Sequence, residues 1–334
     1  MAAQNALAVN QGMRNKTACL IAIGALSLIL LACNSSGLST QPRATFTHLA
    51  CLDINHDQRL NDADAADLSK VPDFNGDRTH NDQDAAFLRG IDIPLDAARE
   101  DQSCRKGSGD GPEYLVAHGY FEPSNVSCDD GKKPVLLVGI GGGVVNVKDK
   151  NSAEGVRSMI DGVQKAYDDR GVETIGVIAG PLIAGATNVH SAMEDWMTHA
   201  VRVYLERYPC LRVVLLGHSH GAVTADVVSA RLEAEYASRI IEVLDIDRVD
   251  ALYIGDTQSR PKQVHVLNVY ETNGKAPLIG APYDSANAEN WNASDQQAPE
   301  NGVAGKPLAP VTHVSIDNSK AVKDRVVAEV MSRS

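Results

Sequence analysis

Val213-Val214-Leu215-Leu216-Gly217-His218-Ser219-His220-Gly221 is the stretch on which the reading of this chain turns. Four apolar residues run without interruption into Gly-x-Ser-x-Gly, and a helical pattern from Ala222 to Ser238 follows. Such a run bounded by turn residues reads as a strand buried on both faces. The two glycines permit a turn sharp enough to push a serine hydroxyl above the sheet edge, where the start of the next helix favours developing negative charge. Ser219 is therefore the candidate nucleophile.

The same alternation extends in both directions from this turn. Strands are expected at Pro134–Gly139, Glu173–Ala179, Leu211–Gly217, Val249–Gly255 and Gln263–Tyr270. Helices are expected at Ala153–Asp169, His190–Tyr208, Ala222–Ser238 and Ser319–Met331, with Glu113–Tyr120 as an added edge strand. Strands that alternate with helices make an α/β fold, a mostly parallel sheet flanked by helices.

Gly217-His218-Ser219-His220-Gly221 resembles the nucleophile elbow of bacterial lipases and esterases of the α/β-hydrolase superfamily, a resemblance that spans residues 131–334. Ala222 departs from it, standing where many members have a further glycine. The resemblance implies the chain order nucleophile, acid, histidine. A serine hydroxyl needs a base within hydrogen-bond reach, and the downstream histidines are His265 and His313. His265 lies inside an expected strand, whereas His313 sits on a loop before the last helix, where superfamily members carry the catalytic histidine. For the acid, Asp256 at the end of the Val249–Gly255 strand is placed first; Glu271, Asp245, Asp247 and Asp284 stay open. The oxyanion donors implied are the backbone N–H of His220 and one from Ile140 or Gly141, in the glycine-rich loop after Leu136-Leu137-Val138. Neither phosphate-binding glycine pattern occurs in that loop, which speaks against a dinucleotide site.

A second motif lies nearer the N-terminus. Asp53, Asn55, Asp57, Asn61 and Asp64 occupy positions 1, 3, 5, 9 and 12 of a twelve-residue loop, and Asp73, Asn75, Asp77, Asn81 and Asp84 repeat the spacing. Arg59 and Thr79 stand at position 7, which contributes a backbone carbonyl. A hard cation needs roughly six to eight oxygen ligands, which alternating carboxylates and amides on a wound loop supply. The pattern resembles dockerin-type EF-hand repeats over residues 51–91 and implies bound Ca2+ with a structural role. It departs from them at Gln58 and Arg78, which replace the usual glycine, and at His80, which replaces an apolar residue.

Arg14 and Lys16, the apolar run Leu20–Leu31 and then Ala32-Cys33 have the anatomy of an export signal, with Met13 as an alternative start. Leu30-Leu31-Ala32-Cys33 resembles the bacterial lipobox, which implies a lipid anchor on Cys33 and a place in the cell envelope. Asn34 points to the outer membrane where two are present. An exported chain meets oxidising conditions, so Cys51, Cys104, Cys128 and Cys210 are disulfide candidates. Of three pairings, Cys51–Cys104 with Cys128–Cys210 is favoured, since the first would close the acidic segment and the second would tie a loop to the hydrolase; a free Cys210 is the alternative.

The expected organisation is a lipoprotein signal at 1–33, a tether at 34–50, the calcium-loop segment at 51–103, a connection at 104–130 and the hydrolase domain at 131–334. A formal charge of −12 with no basic stripe excludes a nucleic-acid partner. The function expected is two-step hydrolysis of carboxylic esters by Ser219, His313 and Asp256. The alternative is a non-catalytic surface adhesion or scaffold protein whose calcium repeats bind a protein partner.

Overall fold

The computed structural model describes residues 44–46, 52–71, 79–94, 117–119, 128, 133–144, 151–179, 182–183, 189–250, 256–276 and 278–334. The expected export signal, Cys33, the tether apart from residues 44–46, Cys51, Cys104 and the ligands Asp73, Asn75 and Asp77 lie outside them; residues 44–46, expected in the tether, form a strand. In chain order the N-terminal segment contributes β1 (Arg59–Asn61), a one-turn α1 (Asp82–Ala85) and β2 (Asp92–Pro94). The larger part contributes β3 (Val135–Ile140), α2 (Asn151–Asp168), β4 (Thr174–Ala179), α3 (Val189–Arg207), β5 (Arg212–His218), α4 (His220–Tyr236), β6 (Ile240–Ile246), β7 (Val266–Tyr270) and β8 (Ala288–Asn292). A hairpin of β9 (Gln297–Pro299) with β10 (Leu308–Pro310) and a final helix α5 (Lys320–Arg333) complete it.

The central sheet has six strands in the order β8-β7-β6-β5-β3-β4, and every pairing in it is parallel. Strand side chains alternate between its two faces. Leu136, Val138, Val213, Leu215, Val243 and Val266 pack with α3 and α4, while Leu137, Val214, Leu216, Leu244 and Leu267 pack with α2 and α5. This is why the strands read as unbroken apolar runs: both faces are covered. The chain leaves β3 for β4 on one side and then crosses back to β5 on the other. The carboxyl ends of β3 and β5 therefore flank a topological switch point, the place where open α/β sheets bind ligands.

The sequence places most elements within one or two residues, with three exceptions. A strand stands at Ile240–Ile246 where none was expected, and Val249 and Asp250, expected in a strand, lie outside one. The edge strand β8 comes from a stretch in which no strand was expected; its side chains are exposed or half-buried, so it carries no apolar signal. The strand at Ala117–Gly119 pairs antiparallel with Ala44–Phe46, not with the main sheet.

The N-terminal segment packs into the same core as α3. Leu60, Phe87, Leu88 and Ile93 join a cluster with Trp196, Met197 and Tyr204. Phe87 meets Tyr204 edge-on with ring centroids 5.1 Å apart, and a ring nitrogen of His199 donates to the Ala86 carbonyl at 2.9 Å. Cys128 and Cys210 form a disulfide across a separation of 82 residues. A crosslink of that span removes unfolded-chain entropy worth about 2–4 kcal/mol. We expect Cys210→Ala to lower the urea-unfolding free energy by that order; unfolding at the wild-type midpoint would contradict the crosslink.

Candidate functional site

β5 ends at His218 and α4 begins at His220, so Ser219 alone makes the turn, at φ 57° and ψ −124°. A residue with a side chain rarely adopts that backbone, which costs on the order of 1–3 kcal/mol and persists only where the surroundings enforce it. They do so by close approach. A Cβ on Gly221 would stand 2.2 Å from the carbonyl oxygen of Ile140 and 2.6 Å from that of Gly141, so the elbow presses directly on the end of β3.

The Ser219 hydroxyl lies 2.9 Å from His313 Nε2. His313 Nδ1 in turn donates to Asp247 Oδ2 at 2.6 Å. That donation fixes the tautomer, since a neutral imidazole with its proton on Nδ1 presents a lone pair at Nε2. His313 sits between the β9–β10 hairpin and α5, and Asp247 follows β6 directly. The Glu271 N–H donates to Asp247 Oδ1 at 3.0 Å, and the Asp247 N–H donates to the Val269 carbonyl. The carboxylate is thus held from β7 as well as from its own strand.

Asp256, the acid placed first by the sequence, does not reach His313. Its carboxylate accepts the backbone N–H groups of Gln258 and Ser259, each at 2.9 Å, and the Ser259 hydroxyl. It is a turn-forming aspartate of the kind whose side chain bonds its own loop. The cause of the error is the displaced strand: the sheet strand ends at Ile246, nine residues before the expected end, so the acid that follows it is Asp247. Glu271 follows β7 directly, but its carboxylate is turned to the backbone N–H groups of Asn273 and Gly274. His265 lies at the other end of the sheet, with Nδ1 2.6 Å from Glu242.

Of the expected oxyanion donors, His220 is the first residue of α4 and follows Ser219 directly. Ile140 closes β3, and Ile140 and Gly141 both show their carbonyls to Gly221. Gly142 of that loop, which the sequence did not single out as a donor, lies against the nucleophile: a Cβ there would stand 2.6 Å from Ser219 Cβ and 3.3 Å from its hydroxyl. Its signal was present in the run Gly141-Gly142-Gly143.

Burial governs the charges here. Ser219, His313 and Asp247 are all buried. Burial pushes the Asp247 carboxyl up to about 6, against the backbone N–H of Glu271 and the charge of His218. It pulls His313 down to about 4, opposed by Glu271. Both shifts share one cause, a low-dielectric site that penalises either charge. At neutral pH the imidazole is therefore unprotonated and able to accept a proton from Ser219.

A strained serine after the third of the six strands in chain order, an acid after the next strand, and a histidine before the last helix sit on one parallel sheet. The fold is a parallel α/β sheet flanked by helices, the class expected from the sequence. A lidless α/β serine hydrolase from Xanthomonas campestris aligns with a TM-score of 0.40 and 12% identity, over 65% of this chain and 88% of its own. Est1E from Butyrivibrio proteoclasticus aligns at 0.40 and 13%, over 68% and 96%. A hydrolase of the α/β superfamily from Xanthomonas campestris pv. campestris aligns at 0.38 and 13%, over 60% and 99%. No family model and no curated protein matches the chain.

Exchanging the two carboxylates separates their roles. Asp247→Asn is expected to lower turnover on the order of 10³–10⁴-fold, as loss of an orienting acid does. Asp256→Asn is expected to leave turnover within about twofold of wild type, as surface turn changes usually do. The reverse ranking in a steady-state assay would contradict the geometry.

Proposed function

We propose that the protein is a serine hydrolase acting on carboxylic esters. The hydrogen-bonded series Ser219–His313–Asp247 carries this reading. Ser219 Oγ attacks the ester carbonyl as His313 Nε2 takes its proton, and the buried Asp247 stabilises the imidazolium that forms. The tetrahedral oxyanion is met by the His220 N–H and by an N–H of the Gly139–Gly143 loop. His313 then gives its proton to the leaving alcohol, and water, activated by the same imidazole, clears the acyl-enzyme.

The pH dependence follows from the pair at the site. The base works when His313 is neutral and Asp247 ionised, and their positions at about 4 and about 6 place both conditions above pH 6. Hydrolysis of p-nitrophenyl acetate is expected to hold a plateau at neutral and mildly alkaline pH, with kcat/KM falling as pH drops through that window. Loss of activity that begins on the alkaline side of neutrality would contradict it.

Calcium in the N-terminal loops belongs to the same proposal, and the first loop supports it by its shape. His56 and Gln58 adopt positive φ, 62° and 68°, which coils the chain at positions 4 and 6. Asn55 Nδ2 and Asn61 Nδ2 both turn to Asp57 Oδ2, at 3.1 and 3.3 Å. Positions 3, 5 and 9 thus converge, and rotating either amide replaces a donor by a ligand oxygen. Asp64, at position 12, is fully buried and accepts the N–H groups of Ile54, Asn55 and Asn61. In the second loop Asn81 caps α1 and Asp84 is likewise buried; Thr79 accepts from Asn81 Nδ2. Held by these residues, Ca2+ would neutralise the loop's carboxylates and steady the segment packed on α3. Millimolar Ca2+ is expected to raise the melting temperature of EDTA-treated protein, and Asp53→Ala with Asp57→Ala to abolish the rise; a rise that survives both substitutions would contradict the assignment. The lipid anchor on Cys33, an envelope location and a partner for the calcium segment remain part of the proposal on sequence grounds. Among the described residues no helix is long and apolar enough to cross a membrane.

A further inference from the structure

His218 immediately precedes the nucleophile, and its ring is buried beside that of His313, with centroids 5.1 Å apart and planes at 31°. Its Nε2 lies 3.0 Å from the backbone carbonyl oxygen of His313. A carbonyl only accepts, so Nε2 carries the hydrogen and donates. The other nitrogen, Nδ1, faces Asp317 Oδ2 at 3.7 Å. Asp317 is buried in the turn Ile316–Asn318 between His313 and α5. Among the described residues neither His218 Nδ1 nor Asp317 Oδ2 has a hydrogen-bond partner.

Two buried lone pairs facing each other would be costly, and one proton between them removes the conflict. Burial pushes His218 down and Asp317 up, which favours the proton on the carboxyl. In that form His218 is neutral and sits beside His313 without adding repulsion when that ring becomes an imidazolium. Asp317 is itself fixed: its Oδ1 accepts from Asn318 Nδ2 at 2.9 Å, and its Oδ2 packs on α2, where a Cβ on Gly155 would stand 2.0 Å away. Lys323 supplies a further positive charge toward it.

We propose that His218, braced by Asp317, is a positioning residue that sets the reach of His313 to Ser219. One side chain belongs to the residue before the nucleophile and grips the backbone of the residue that bears the base, so the two cannot drift apart independently. This inference rests on the reading of Ser219, His313 and Asp247 as a hydrolytic triad. The glutamine variant should retain the function in part, because its amide also donates to a carbonyl. Asp317→Asn should weaken it, because an amide N–H is a weaker donor to His218 Nδ1 than the shared carboxyl proton.

The test uses the full chain with p-nitrophenyl acetate as substrate, together with the downfield proton signal of His313 Nδ1–H. His218→Ala is expected to lower kcat by about 10²-fold, the scale of a misplaced catalytic group, with KM little changed. Asp317→Asn should fall between that variant and wild type, and His218→Gln should recover a large part of the loss. The Nδ1–H signal should be sharp in wild type and broadened or lost in His218→Ala. Should the alanine variant fail to fold, Asp317→Asn and His218→Gln decide alone. Turnover and proton signal unchanged in folded variants would overturn the inference. If the wild type hydrolyses no ester, the hydrolase reading fails instead, and the proton signal still decides: an unaltered signal in the variants overturns the positioning role, and a lost one upholds it.

Discussion

The backbone of Ser219 is the constraint on which the rest depends. At φ 57° and ψ −124° it holds a conformation that the residue would not keep alone. It is kept there by what presses on the turn. Gly221 abuts the end of β3, and the Ser219 N–H donates to the Ile246 carbonyl at 2.9 Å, which ties the elbow to the end of β6. Because Asp247 comes next after Ile246, the bond that steadies the nucleophile also registers the acid. The sheet supplies the rigidity: β5 is central, paired on both edges and covered by apolar helix faces. Strain on the order of 1–3 kcal/mol is small beside burial of that extent.

The triad's remaining geometry comes from bonds to backbone. Glu271 lends its N–H to Asp247 and aims its own carboxylate into the following turn, so two acids a few ångströms apart have different tasks set by what each can reach. Burial gives the site its chemistry as well as its order. It keeps His313 neutral near physiological pH and strengthens the attraction of Asp247 for the imidazolium once that forms.

Ser219, His313 and the layered α/β order were legible because they rest on local signals: an apolar run, a glycine turn, a helix after a loop. Asp247 was not, and the reason lies in Ile240-Ile241-Glu242-Val243-Leu244-Asp245-Ile246. Glu242 and Asp245 interrupt its apolar pattern, yet both are fully buried. Glu242 is answered by His265 and by Arg333 at the far end of the chain, and Asp245 lies by Asp226 and Arg248. His265, Arg333 and Asp226 are too distant in sequence to leave a trace in a local window, so the more apolar stretch from Val249 looked like the strand and drew the acid assignment to Asp256. β8 was missed for the converse reason: an edge strand with exposed side chains needs no apolar pattern, only a neighbour to pair with. The joining of Phe87 to Tyr204 shows the same limit, since nothing in either sequence segment announces the other.

The central claim is that Ser219 is an activated nucleophile, and reaction of the full chain with a fluorophosphonate probe tests it most directly, because the probe requires no guess at the substrate. The account predicts rapid labelling of the wild type, with the adduct mapped to Ser219 by mass spectrometry and absent from Ser219→Ala. A folded wild type that takes up no probe, or equal labelling of the Ser219→Ala variant, would contradict it.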